Sequence, residues 1–265
     1  MGFAYSAFGD DVQVLGYNPA GLARIPKYSL ALDHQQGFAD VQVEALSLAF
    51  PTKDYGNIGA QVVFRHMPTI DNELATDPPI PVYDLMVLVS NAHQFGRFSV
   101  GASLKVVMVA LGNEQALTQA VDVGIKVQWE GFDLAAVAQN LGPDLQFPGS
   151  ASKDPLPLTF RAGLSRTLLA SPSSTLLASA EASHVRDEGF AAAFGAEYWH
   201  RSLLALRAGY RWTEGAQAHG GLSLGAALRH NLGRLEYEIG YAWRPAPVSP
   251  SFLVATHSFG LLFWY

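Results

Sequence analysis

Apolar and polar residues alternate strictly along most of this chain. In the segment that begins at Arg97, the residues Phe98, Val100, Ala102, Leu104, Val106 and Met108 share one face, and Arg97, Ser99, Gly101, Ser103 and Lys105 share the other. A period of two marks a strand with one apolar face, because successive side chains leave a pleated backbone on opposite sides. The same pattern sets Val121, Val123, Ile125, Val127 and Trp129 against Asp122, Gly124, Lys126 and Gln128. It recurs with Leu158, Phe160, Ala162 and Leu164 against Thr159, Arg161, Gly163 and Ser165, and with Leu235, Tyr237, Ile239, Tyr241 and Trp243 against Glu236, Glu238 and Gly240. It predicts about fourteen strands, near 27–35, 41–50, 57–66, 82–92, 97–109, 118–129, 131–141, 157–168, 174–185, 189–199, 202–212, 220–230, 233–243 and 254–265. Helical spacing appears nowhere convincingly.

The connections between these segments alternate in length. The short set is Pro51 to Tyr55, His93 to Gly96, Glu130-Gly131, Ser171 to Ser173, His200-Arg201 and Asn231 to Gly233. Between them fall Gln35 to Asp40, Met67 to Pro81, Ala110 to Ala116, Gly142 to Asp154, Val185 to Glu188, Thr213 to His219 and Arg244 to Phe252. Outer-membrane barrels join strands by short periplasmic turns at one end and longer loops at the other, whereas a Greek-key sandwich has no reason to alternate in this way. Aromatic residues gather near both strand ends. Phe50, Phe98, Trp129, Phe132, Tyr198 and Tyr265 lie toward the short turns, and Phe190, Tyr210, Trp212, Tyr241 and Trp243 toward the long ones. Two girdles of amphipathic rings at the headgroup level are expected of a membrane barrel, and ordinary strand aromatics are the alternative.

Composition sharpens the choice. The chain is 49% hydrophobic and only 15% charged, against roughly 25% charged in soluble domains. No stretch approaches the roughly 18 apolar residues of a membrane helix, and the best candidate, Val106 to Leu111, is bounded by Lys105 and Gly112. With every backbone group needing a partner in hydrocarbon, a membrane chain without such helices must close into a barrel. The fold class expected is therefore all-β, an antiparallel transmembrane β-barrel in the bacterial outer membrane. A formal net charge of −6 argues against nucleic acid as a partner. The absence of cysteine removes disulfides and thiolate chemistry. Met1 is followed by Gly-Phe-Ala-Tyr, with neither the basic nor the apolar region of a signal peptide. An exported barrel requires one, so a mature or truncated form is expected.

The two ends carry motifs. Ser258, Gly260, Phe263 and the terminal Tyr265 form the pattern polar, x, Gly, x, x, aromatic, x, aromatic, which resembles the C-terminal signal read by the barrel assembly machinery. Ahead of the first strand stand Asp10-Asp11 and Asn18-Pro19-Ala20-Gly21-Leu22. Asn initiates a turn, Pro fixes φ and Gly tolerates positive φ, so a structural turn is the leading reading of this motif. A role in gating the lumen is the other.

Asp10-Asp11 followed by Asn18-Pro19-Ala20-Gly21-Leu22 resembles the N-terminal segment of the PorV/PorQ family, within the FadL-like barrel superfamily. Further blocks in that family's order are Gln139-Asn140-Leu141-Gly142-Pro143, Leu156 to Gly163, Gly195 to Trp199, Leu206 to Arg211 and Thr256-His257. The resemblance spans nearly the whole chain. It implies a fourteen-stranded FadL-like barrel, residues 27–265, whose N-terminal segment 1–26 forms a plug in or beneath the lumen. Two departures stand out: the family's usual signal peptide and Gly-rich stretch are missing, and Tyr265 ends the chain where Phe is commoner.

Candidate chemistry is sparse. The inward face carries Lys105, Asp122, Lys126, Asp133, Arg161, Glu181, Glu197, Arg207, Arg211, Arg229, Glu236 and Glu238. Mixed charges in a narrow lumen can pair and so offset their desolvation. A structural charge network including Arg161, Glu181, Glu197, Arg207 and Glu238 is the leading expectation, with Arg161, Glu197 and Arg207 in one network. A polar conduit or a catalytic carboxylate pair is the alternative. His257-Ser258 is the one tempting hydrolase pair, yet adjacent strand residues point to opposite faces. The eight histidines show no ligand spacing, so no metal, cofactor or catalytic residue is expected. The loop Met67 to Pro81, with Asp71, Glu73 and Asp77, reads as a solvated loop, or as one that touches calcium or a partner.

Two functions follow from the resemblance. PorV-like members act in type IX secretion as adaptors that receive cargo, and FadL-like relatives take up hydrophobic small molecules. The local blocks favour the secretion-accessory reading, with a protein partner gripped by the long loops Met67 to Pro81, Gly142 to Asp154 and Arg244 to Phe252. Outer-membrane lipid and the assembly machinery are the other expected partners.

Overall fold

A computed structural model describes residues 2–9, 11–70, 80–214, 221–249 and 252–265. Fourteen antiparallel strands form one closed barrel. They are β1 (Ser29–Gln36), β2 (Gln42–Phe50), β3 (Asn57–Ile70), β4 (Ile80–Phe95), β5 (Phe98–Leu111), β6 (Glu114–Trp129) and β7 (Phe132–Leu141). After a longer connection come β8 (Thr159–Ala170), β9 (Ser174–Val185), β10 (Gly189–His200), β11 (Leu204–Thr213), β12 (Gly221–Leu232), β13 (Leu235–Ser249) and β14 (Phe252–Trp264). Each strand pairs with its sequence neighbours, and β1 closes the ring against β14 with Ser29 opposite Trp264 and Gln36 opposite His257.

Burial is inverted relative to a water-soluble protein. On β5, Leu104 is 69% exposed, while its neighbours Ser103 and Lys105 are 1% and 6% exposed. An outer wall of exposed Leu, Val, Ile and Phe around a polar interior is stable only where the surrounding medium is itself apolar. The described residues contain no helix long and apolar enough to cross a membrane. The strands are what cross it. Trp129, Phe50 and Phe98 stand exposed near the short turns, and Phe190, Tyr210 and Trp212 near the opposite end.

The short-turn end is built as the local chemistry dictates. Between the paired Trp129 and Phe132, Glu130 and Gly131 have φ of 49° and 81°. Two consecutive residues at positive φ give the hairpin turn whose twist matches the strands it joins.

The opposite end differs from the sequence expectation. Ala110 to Ala116 is not a long loop, since β5 continues to Leu111 and β6 resumes at Glu114. Likewise β3 and β4 extend to Ile70 and from Ile80, and β13 runs to Ser249. Arg244 to Phe252 is therefore mostly strand. Small and polar residues there break the apolar alternation, but strand pairing continues, so the strands outlast their sequence signal. Asp71, Glu73 and Asp77, and His219, lie outside the described residues.

The connection 142–158 bends back onto the barrel. Thr118 Oγ1 donates to the Pro143 carbonyl at 3.0 Å, Leu145 and Asp154 bridge each other, and Leu145 and Leu156 are buried. At its root, Gln139 and Asn140 of β7 together oppose Asp122 of β6, a bulge with Asn140 at φ 63°. The Asn140 N–H, released from the ladder, donates to the Asp122 carboxylate at 2.8 Å.

Candidate functional site

The lumen is occupied by the chain's own N-terminal residues. They cross it in a loop pinned by two 3-10 turns, Val12–Gly16 and Pro19–Arg24. Each turn starts on a capping side chain: Asp11 accepts from the Gln13 N–H at 2.8 Å, and Asn18 from the Ala20 N–H at 3.0 Å. Pro19 follows Asn18 at the first position of its turn, where a missing N–H costs nothing and the fixed φ helps.

Small residues on the wall make room for this segment. A Cβ at Gly101 of β5 would stand 2.5 Å from the Pro19 carbonyl carbon, and one at Gly124 of β6 would stand 2.1 Å from Asn18 Oδ1. These two glycines are where the Asn18-Pro19-Ala20-Gly21 motif presses on the barrel. Asn18, Pro19, Ala20 and Gly21 are buried. Toward β14 and β1 to β4 the contact is apolar: Val12, Val14, Leu15, Leu22 and Ile25 pack with Ala31, Ala49, Leu88, Ala92 and Leu262.

Polar wall residues hold the segment elsewhere. Glu181 of β9 accepts from the Tyr5 and Ser6 N–H groups at 3.2 and 2.9 Å and from the Ser6 hydroxyl at 2.6 Å. Its other oxygen accepts from Arg161 Nη1 at 2.8 Å, and Arg161 also donates to Gln139. Lys126 of β6 donates to the Gly9 carbonyl at 3.2 Å, and Asn57 of β3 to those of Leu22 and Ile25, both at 2.8 Å. Arg24 pairs with Asp133. Tyr17 lies under the Arg161 guanidinium, 5.7 Å from ring centroid to Cζ. Burial pushes its phenol above the ordinary value, and the charge of Arg161 pulls in the other direction.

A second charge cluster sits on β10 to β13. Glu197 faces Arg207 across the strand pair, accepting from its Nε at 2.6 Å and from Trp199 Nε1 at 2.8 Å. Glu238 accepts from Arg207 Nη2 at 2.8 Å and Arg229 Nη2 at 2.9 Å, and Arg229 stacks on Trp199. The expectation of one network joining Arg161, Glu197 and Arg207 is corrected here. Arg161 and Glu181 belong to the cluster around the N-terminal segment, while Glu197, Arg207 and Glu238 form a separate group. Strand phase tells which way a side chain faces but not its height, and height decides the partner.

Sequence reasoning passed over Arg24, Asn57 and Ser6, which tie the N-terminal segment to the wall or to the chain that leads into β1. Asn57 was legible in part, since Asn57, Gly59 and Gln61 alternate with apolar residues on β3. Asp10 lies outside the described residues. Within the C-terminal motif, Ser258 and Gly260 face inward opposite Gln35 and Asp33, and the Tyr265 N–H donates to the Tyr28 carbonyl at 3.0 Å. Phe263 pairs with Leu30 and Tyr237 on either side. His257 points outward and is hydrogen-bonded to the Tyr241 hydroxyl, so it does not cooperate with Ser258. No group of potential metal ligands occurs among the described residues.

On the outside, an apolar groove of about 580 Å³ runs along β1 to β3, β13 and β14, lined by Leu32, Leu46, Val62, Phe64 and Phe259. His34 and Glu44, directly opposite each other on β1 and β2, pair at 2.7 Å beside it.

Fold and lumen together define a closed fourteen-stranded β-barrel of the outer-membrane kind, with its interior filled from the N-terminus. Residues 1–130 match an uncharacterised protein family, UPF0164. Two proteins of Treponema pallidum (strain Nichols) described as UPF0164 protein are similar in sequence. One is 27% identical over 48% of this chain and 34% of its own length, the other 26% identical over 56% and 50%. The chain thus spans between about a third and a half of the curated relatives it matches. Among solved structures it resembles the Ralstonia pickettii toluene transporter TbuX, with a TM-score of 0.68 and 14% identity over 100% of this chain and 96% of that one. It also resembles the monoaromatic hydrocarbon channel CymD, at 0.67 and 14% over 98% and 94%.

Proposed function

We propose that this barrel admits hydrophobic small molecules across an outer membrane, with residues 1–26 as a plug that yields during passage and 27–265 as the transmembrane barrel. One observation carries the reading: the lumen of a barrel that shares its fold with hydrocarbon channels is filled by the chain's own N-terminus. An open, water-filled pore serves polar solutes. A lumen packed on one side with Val12, Leu15, Leu22 and Ile25 suits apolar cargo, because displacing an apolar contact by an apolar molecule costs little desolvation. The groove on the lipid face offers such a molecule an apolar surface next to the bilayer.

The secretion-accessory role has less behind it. TbuX and CymD are described as a transporter and a channel, and most of Arg244 to Phe252, offered above as a gripping loop, is strand paired between β13 and β14.

A reversible lock on the plug tests the channel reading. The chain has no cysteine, and a Cβ at Gly124 would stand 3.1 Å from the Asn18 side-chain carbonyl carbon, so Asn18→Cys with Gly124→Cys is placed to form a disulfide. In vesicles whose outer leaflet is lipopolysaccharide, which slows apolar solutes, labelled toluene should enter faster than into protein-free vesicles through the reduced double variant, and fall to the protein-free rate on oxidation. Equal uptake by the oxidised and reduced forms would sink the moving plug. No uptake by the unmodified chain beyond the protein-free rate would sink the channel itself.

A further inference from the structure

Nearly every inward-facing cation of the strands has its match. Lys105 meets Asp122, Arg161 meets Glu181, Arg207 meets Glu197 and Glu238, Arg229 meets Glu238, and Arg65 meets Asp84. Lys126 is held by carbonyls of the plug. Arg211 of β11 and Arg244 of β13 stand apart, with no carboxylate within ion-pair distance among the described residues. Both instead lie against one plug ring, their Cζ atoms 4.8 and 4.7 Å from the centroid of Phe3. The guanidinium groups of Arg161, Arg211 and Arg244 all bear electrostatically on the Tyr17 phenol. Arg211 and Arg244 thus meet on Phe3, while Arg161 lies over Tyr17, and among the described residues the one carboxylate that bears on Tyr17, Glu181, is already engaged by Arg161, Tyr5 and Ser6.

The wall around Arg211 is built of small residues and carries one unused polar group. Arg211 stands opposite Ala193 on one side and Gly221 on the other. At the next inward position of β11, the Thr213 hydroxyl is buried without a hydrogen-bond partner. A guanidinium that stacks on an aromatic face keeps its N–H edge free to bind a planar oxyanion through two parallel hydrogen bonds. Like charges drawn together also raise each other's energy, which a bound anion relieves.

We infer that Arg211 and Arg244, seated on Phe3 and facing the long-connection end of the barrel, form an anion site that takes the carboxylate of a small organic acid with an apolar body. The inference rests on the channel reading and narrows its cargo. The carboxylate meets the two arginines and the Thr213 hydroxyl, and the apolar body covers the Phe3 and Tyr17 rings. An acid held there sits directly on the plug, so its binding and the position of the plug are coupled.

The test is calorimetric titration of the detergent-purified full chain with benzoate, with toluene and inorganic phosphate as comparators. Benzoate should bind more tightly than phosphate. Its Kd should weaken by about tenfold or more in Arg211→Gln and in Arg244→Gln, while Arg97→Gln, in an exposed turn, leaves it unchanged. Modification of the folded wild type with phenylglyoxal, mapped by mass spectrometry, gives a readout independent of the variants: benzoate should protect Arg211 and Arg244 from labelling. Absence of benzoate binding, an unchanged Kd in Arg211→Gln and Arg244→Gln, phosphate binding as tight as benzoate, or labelling that benzoate does not affect would each overturn the site. Toluene uptake without benzoate binding would remove the site and leave the channel standing. Benzoate binding lost in the variants, with no uptake of any probe, would do the reverse.

Discussion

Glu181 shows how a single residue couples wall and lumen. Its carboxylate takes four hydrogen bonds, three from Tyr5 and Ser6 and one from Arg161, and its side chain is 2% exposed. Removing it leaves Arg161 with Gln139 alone and frees two backbone donors, the circumstance in which a broken buried pair costs about 3–5 kcal/mol. Glu181→Ala should lower the midpoint of chemical unfolding in detergent and raise protease cleavage before residue 12, with the barrel still assembled. An unchanged midpoint would mean that Glu181 does not hold the plug. That Glu181 faces inward was readable from the alternation of β9. That it meets Ser6, 175 positions away, was not, because nothing local links the two.

At the scale of elements, β14 has the most to do, since it closes the ring by pairing with both β13 and β1. Of its motif residues, Gly260 sits in a tight place: a Cβ there would stand 3.0 Å from Asp33 Oδ1. Phe263 and Tyr265, near the short-turn end, are the residues we assign to recognition during assembly. Phe263→Ala combined with loss of Tyr265 should cut the amount of barrel inserted in the membrane severalfold while leaving the melting of the inserted fraction close to wild type. Normal insertion would count against that assignment. The element boundaries divide in the same physical way. Inside the lipid one face must be apolar and the period is clear, as in β5 and β10. Toward the long-connection end, up to Leu111 and again from Glu114, and from Arg244 to Ser249, the strands persist through backbone pairing that leaves no apolar period in the sequence.

For the whole molecule, the exposed apolar wall dictates behaviour in bulk. The chain should fractionate with outer membranes and migrate faster unheated than boiled on mild-detergent gels, as closed barrels resist unfolding. A protein that stays dispersed in buffer without detergent would contradict the fold's lipid-facing wall. The number of strands, the direction each side chain faces and the choice of lipid as surroundings were fixed by the sequence alone, because period-two alternation is a local property and apolar faces without apolar helices admit one closure in a membrane. The filling of the lumen, the division of its charges into two clusters and the meeting of Arg211 and Arg244 on Phe3 came only with the tertiary structure. Each depends on height and on contacts between distant strands, and alternation along a strand carries no record of either.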